Sequence, residues 1–137
     1  MKKADLQRLG FEEAGECVSD PKLESQVRFD LRAFSDARVI YAFSVDDQVA
    51  YIGVCGAQGT TLKSRMARYQ ALTGAGTNKR VVGHIREALG EKHRVSILAW
   101  NPPGQPQIRG LTVDSVKGLE NSLIDLLDPD TRWNRQH

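Results

Sequence analysis

Apolar positions along this chain recur with two periods, and the points where one gives way to the other mark its elements. Residues 38–43 and 49–54 are rich in β-branched and aromatic side chains, and the short stretch between them ends in Asp46-Asp47-Gln48. They predict two antiparallel strands of a hairpin, which lets Tyr41 and Tyr51 lie close together. Phe11 to Val18 and Ser25 to Leu31 predict a second hairpin, joined through the turn chemistry of Ser19-Asp20-Pro21. Ahead of it a polar helix, Lys2 to Leu9, stops at Gly10. Helical spacing then marks 61–72, opened by a threonine cap, and 78–89, while Arg94 to Trp100 reads as a strand. Asn101 to Gly110 is a Pro- and Gly-rich loop. Asp114 caps a helix running to Leu127, where Asp128-Pro129 ends it, and Thr131 to His137 is a short tail.

Two charged residues fall where helical geometry wants apolar ones. At about 100° per residue, Val116, Leu119, Leu123, Ile124, Leu126 and Leu127 share one arc, and Glu120 lies inside it. An inward carboxylate requires an arginine, hydrogen-bond donors or a metal ion, because an unpaired buried charge is strongly disfavoured. A structural ion pair and a metal site meet that need equally well. On the earlier helix Leu62, Met66, Tyr69 and Leu72 form the apolar arc, and Arg65 projects between Tyr69 and Leu72, one turn from Tyr69. Cation–π contact or coverage of the core by a long side chain explains that position, and so does an anion site. The coincidence of an inward arginine and an inward glutamate favours an anionic, metal-assisted site.

Composition narrows the class. At 137 residues with 40% hydrophobic and 26% charged positions, the chain is one globular domain with a real core, free of low-complexity tracts and repeats. The first ten residues lack an apolar h-region and no segment reaches bilayer-spanning length, so no membrane partner and a cytoplasmic location are expected. Cys17 and Cys55 have no metal-like spacing and are read as free, noncatalytic thiols. His84, His93 and His137 show no ligand spacing and are assigned to the surface; Trp100 and Trp133 are assigned to burial against the sheet rather than to base stacking. The net charge of +2 hides an uneven distribution: residues 1–37 hold six Lys/Arg and eight Asp/Glu, residues 60–95 eight and two. Lys63, Arg65, Arg68, Lys79, Arg80, Arg86, Lys92 and Arg94 form either a phosphate-facing surface or two solvated helix faces.

The ordered set Tyr41, Tyr51, Arg65, Tyr69, Glu120, Asn134 resembles the GIY-YIG nuclease family, as do the ten-residue step between the first two and the four-residue step from Arg65 to Tyr69. Tyr51-Ile52-Gly53 closing the second strand belongs to the same pattern, and the likeness covers residues 38 to 134. Val39 stands where the family has its first glycine, and the stretch Cys55 to Thr61 is longer than usual. The resemblance implies an α/β (α+β) fold, a small, mainly antiparallel sheet flanked by helices. It places the catalytic domain at 38–137, with 1–37 as a helix and hairpin extension of the same domain.

It further implies a divalent-metal-dependent endonuclease hydrolysing phosphodiester bonds in DNA. Glu120 would hold Mg²⁺ or Mn²⁺, since a hard cation keeps several waters and needs only one or two carboxylates. Arg65 would stabilise the transition state, Tyr51 would accept or relay the proton of the attacking water, Tyr41 and Tyr69 would orient water and phosphate, and Asn134 would hold a backbone segment or tyrosine. A phenol of pKa ~10 acting as base near neutrality needs a shift of about three units, roughly 4 kcal/mol. Lys63, Arg68, Lys79, Arg80 and Arg86 would contact nucleic acid. The alternatives are a catalytically inactive nucleic-acid- or partner-binding domain of the same fold, and an RNA-directed or toxin nuclease. The sequence leaves oligomeric state open.

Overall fold

Val39, Tyr41 and Phe43 belong to one buried cluster and Ile40 and Ala42 to another, so strand Val39–Val45 is apolar on both faces and needs helices on both. The computed structural model, which describes residues 1–32, 38–56, 59–73, 76–104 and 106–135, supplies them. In chain order the elements are α1 Lys3–Leu9, β1 Glu12–Ser19, β2 Val27–Leu31, β3 Val39–Val45, β4 Gln48–Cys55, α2 Leu62–Gln70, α3 Gly76–Gly90, β5 Val95–Trp100, β6 Gln107–Ile108, β7 Leu111–Thr112 and α4 Ser115–Asp125.

The five-stranded sheet has the order β2-β1-β5-β3-β4, with every neighbouring pair antiparallel. Leu62, Met66 and Tyr69 of α2 and Val81, Val82 and Ile85 of α3 close one face. Leu6 of α1 and Val116, Leu123 and Ile124 of α4 close the other. In the N-terminal stretch, β1 and β2 extend the sheet through β5, and α1 covers its second face.

Both sheet edges are capped by local bonds rather than left as open ladders. On β4, Val49 N–H donates to Met1 O (3.0 Å) and Trp133 N–H donates to Ala50 O (2.7 Å). On β2, Phe29 N–H donates to the Gln70 side-chain oxygen (3.0 Å).

Most boundaries lie within one or two residues of the sequence expectation, and four departures have a structural reason or consequence. β2 starts at Val27 because Gln26 takes a left-handed φ of 63° and the Ser25 hydroxyl turns back to Val27 O (3.1 Å). α3 begins at Gly76, ahead of residue 78. The loop 101–110 contains β6 and leads into a small ribbon with β7. Leu126, expected on the inward arc of the last helix, is 60% exposed: it falls at the edge of that arc, as the C-cap beyond the end of α4 at Asp125, while Leu127 at the arc's centre is buried. Trp133 is buried and Trp100 packs on Phe11, ring centroids 5.5 Å apart. Cys17 and Cys55 are free and buried. Among the described residues no helix is long and apolar enough to cross a membrane. The assignment made for His137 lies outside the described residues.

Candidate active site

The β3–β4 register sets Tyr41 opposite Gly53 and Phe43 opposite Tyr51, so the two tyrosines lie on a diagonal, ring centroids 6.3 Å apart. A third phenol comes from α2. Thr61 caps that helix by accepting from Ser64 N–H (3.0 Å), while Ser64 Oγ accepts from Thr61 N–H (2.8 Å). This fixes the first turn and aims Arg65 and Tyr69, one turn apart, at the sheet. Tyr41 and Tyr69 hydroxyls bond each other at 2.7 Å. Arg65 Nε donates to Tyr41 Oη (3.2 Å), Arg65 Nη2 donates to Tyr69 Oη (3.5 Å), and the guanidinium carbon sits 4.8 Å from the Tyr69 ring centroid.

The electrostatics of this cluster are uncompensated. Tyr41 and Tyr69 are 1% and 0% exposed, and burial pushes both phenols above their ordinary pKa, so each is neutral near pH 7. The half-buried Arg65 thus keeps its full charge against two neutral oxygens, and among the described residues no carboxylate pairs with it. Tyr41 and Tyr69 face Arg65 and one another rather than solvent.

Tyr51 differs from the other two. It lines an open pocket of about 640 Å³ together with Gly76, Thr77, Arg80, Asn134 and Arg135. None of these is acidic. Arg80, Arg135 and the N-terminal turn of α3, whose helix dipole favours anions, give the walls a positive potential. The tail fixes the tyrosine from behind. Asn134 accepts from Ile52 N–H (3.0 Å) and donates to Ile52 O (2.9 Å), and Trp133 holds Ala50, so both neighbours of Tyr51 are tied.

The other expected residues are dispersed. Arg80 alone of the five proposed nucleic-acid contacts reaches the Tyr51 pocket, where it also donates to the Trp133 carbonyl. Lys63 lines a separate pocket between α2 and β2. Arg68 and Lys79 are exposed, and Arg86 donates to Ser25 O (3.2 Å), bracing the β1–β2 turn. His84, expected at the surface, is half-buried and stacks on Trp133 at 5.4 Å and 7°. His93 is exposed and pairs with Asp46 at 2.8 Å.

Glu120 points inward as its arc requires, with a side chain 13% exposed, and its partner is Lys117 Nζ at 2.8 Å. Its helix, α4, packs on the sheet face of Ile40, Ala42 and Ile52, opposite the face of Tyr41, and no contact joins Glu120 to Arg65 or the tyrosines among the described residues. Lysine takes one carboxylate oxygen, and no hydrogen bond reaches the other among the described residues. Among the described residues no three His, Cys, Asp or Glu gather as a cage. The donor set therefore fits a hard cation held by one carboxylate and completed by water and phosphate, and does not fit a closed protein site. Thr77 and Arg135 were missed by the sequence reading. Arg135 adjoins Asn134 in the tail, and Thr77 belongs to a helix start placed two residues too late.

No family model and no curated protein matches this sequence. Solved structures do match it. A mutant of bacteriophage T4 EndoII is 20% identical with a TM-score of 0.67, covering 96% of this chain and 97% of its own. The restriction endonuclease HPY188I in complex with product DNA is 18% identical with a TM-score of 0.58, covering 91% of this chain and 78% of its own. The five-stranded antiparallel sheet with helices on both faces, spanning nearly the whole chain, is an α+β fold shared with these two endonuclease structures.

Proposed function

We propose that this chain is a divalent-metal-dependent endonuclease that hydrolyses phosphodiester bonds in DNA. The observation that carries the reading is Arg65: a half-buried guanidinium held by two neutral phenols, with no carboxylate partner among the described residues, one of those phenols lying 6.3 Å from the ring of Tyr51, which opens a basic pocket. Such a charge is stabilised by an incoming anion, and a phosphodiester supplies one. The structural neighbour HPY188I was solved with product DNA, which supports DNA over other anions.

In this reading the phosphate enters the pocket against Arg80, Arg135 and the α3 N-terminus, and Arg65 donates to a nonbridging oxygen as charge grows there. Tyr51, the one phenol of the three that lines the pocket, takes or relays the proton of the attacking water. Tyr41 and Tyr69 position Arg65, and Asn134 positions the backbone on which Tyr51 stands. Glu120 would hold Mg²⁺ or Mn²⁺ through the oxygen that Lys117 does not take, and that ion, when bound, would offset charge on the leaving oxygen.

The distance of Glu120 from the tyrosine cluster in contact terms favours one second reading, a nucleic-acid-binding domain without turnover. Cleavage of supercoiled plasmid and of a flap oligonucleotide with Mg²⁺, Mn²⁺ or EDTA separates them, with Glu120→Gln run beside the wild type. Metal-dependent cutting that the substitution abolishes supports the enzyme. Binding without cutting by the wild type supports the second reading.

A further inference from the structure

The β6–β7 ribbon carries the most exposed large apolar side chains among the described residues, Ile108 at 62% and Leu111 at 72%. Ile108 pairs directly with Leu111, so both project from one face of the ribbon. Between them Arg109 and Gly110 form a two-residue turn with φ of 52° and 78°, the left-handed pair that hairpins of this length require. Gly, Asn and Asp adopt that conformation readily. An arginine there sets a cation at the tip against local preference. Residues 101–113 contain no Asp or Glu, and Arg109 has no ion-pair partner among the described residues.

The ribbon is anchored. Val113 N–H donates to Pro106 O (2.9 Å) and Ser115 Oγ donates to Gly104 O (3.2 Å), which bind its base to the first turn of α4. Asp114, the cap of α4, pairs with Arg38 at 2.8 Å. Arg38 abuts Gly56, whose N–H donates to Thr60 Oγ1 (3.1 Å) just ahead of the α2 cap at Thr61. The ribbon is thus rooted at the end of the sheet where the helix bearing Arg65 begins.

We propose that this ribbon is a DNA wedge: Arg109 enters the minor groove while Ile108 and Leu111 press into a base step, unstacking it and bending the duplex. Aliphatic side chains paired with a basic residue are the chemistry of such wedges. A second copy of the chain fits less well, because a stable protein interface needs some 20–30 residues a side and the ribbon offers a short tip with one unpaired positive charge. The inference rests on the DNA reading above, so its test does not depend on cutting.

Duplexes with 2-aminopurine at a TA or CA step, the most easily unstacked, are titrated with protein in EDTA, reading affinity by anisotropy and unstacking by fluorescence. The wild type should bind with a rise in fluorescence. Ile108→Ser with Leu111→Ser should weaken binding by about tenfold or more and abolish the rise. Ile108→Met with Leu111→Met should restore both, since methionine also serves as a wedge. Arg109→Ala should weaken binding at all steps. A wild type that binds and cuts DNA while the serine variant matches it in affinity and fluorescence overturns the wedge and leaves the nuclease standing. A serine variant that changes sedimentation of the free protein but not DNA binding makes the ribbon a protein contact and also overturns it. A wild type that neither binds nor cuts any duplex sinks both readings together.

Discussion

The Tyr41 ring lies across Gly53: a Cβ built at Gly53 would stand 2.4 Å from Tyr41 Cζ and 2.5 Å from its Oη. Gly53 is the glycine of Tyr51-Ile52-Gly53, and its function is vacancy. Tyr41 cannot yield easily, being fully enclosed and bonded to Tyr69 at 2.7 Å. Gly53→Ala should therefore destabilise the protein by about 1–3 kcal/mol, the usual range for overpacking a core. It should also dislodge Arg65, which hangs on Tyr41 Oη. Urea denaturation and plasmid cleavage check the two effects. Wild-type stability in Gly53→Ala would mean that the ring moves freely, and that the register does not position the cluster.

The close approach also shows what kind of information the sequence held. Periodicity located the strands of both hairpins and all four helices to within a few residues, because each buries an apolar face against a neighbour. It placed Glu120 and Arg65 inward correctly, since helical phase is a local property. It failed at Leu126, at the edge of the apolar arc, and in the loop 101–110, where strands of two residues are too short to show alternation. Partners in space were beyond it. Nothing local says that Arg86 braces Ser25 O, or that the tail doubles back to clamp Ile52. Charge counted along the chain likewise left open a phosphate-facing surface or two solvated helix faces; in the fold Arg80 lines the Tyr51 pocket, Lys63 a separate one, Arg86 braces Ser25 O, and Arg68 and Lys79 are exposed.

Asn134 makes a two-bond clamp on the Ile52 peptide, 3.0 Å to its N–H and 2.9 Å to its oxygen. Asn134→Ala removes both, at about 0.5–1.5 kcal/mol each. Asn134→Asp keeps only the acceptor. Amide exchange at Ile52 should accelerate strongly in the alanine variant and little in the aspartate variant, while exchange in β1 and β5 stays unchanged. Uniform acceleration across the sheet would show that the tail supports the whole fold rather than the strand edge beside Tyr51.

Stability should fall on the alkaline side. Burial pushes the Cys55 thiol up to about 11 from its ordinary 9.0 and raises the Tyr41 phenol further above its own. In both cases the fold favours the protonated form. The contribution is then complete below the unfolded pKa and is lost as pH rises through the folded one. For Cys55 that window runs from pH 9 to about 11. Denaturant midpoints measured from pH 7 to 11 should decline over that span, and Cys55→Ala should flatten the first part of the decline. A profile of Cys55→Ala parallel to the wild type would assign the loss to the phenols alone.

In the proposed reaction, Arg65 is assigned to transition-state stabilisation and Lys79 to simple attraction, and substitutions at the two separate these roles. Lys79 is exposed on α3, so Lys79→Ala should raise KM and lessen the salt dependence of binding with kcat nearly unchanged. Arg65 is held by Tyr41 and Tyr69 before substrate arrives, a preorganised donor whose removal typically lowers kcat by about 10²–10³. Arg65→Ala leaves the Tyr41–Tyr69 bond in place, so the fold should survive and the loss should lie in the chemical step. Arg65→Lys should not rescue it, because one ammonium cannot donate through the planar fork that reaches both phenols and still faces a phosphate. Single-turnover rates at saturating DNA read that step directly. Equal losses for Arg65→Ala and Lys79→Ala, both confined to KM, would reduce Arg65 to one more phosphate contact and remove the argument that its uncompensated charge is catalytic.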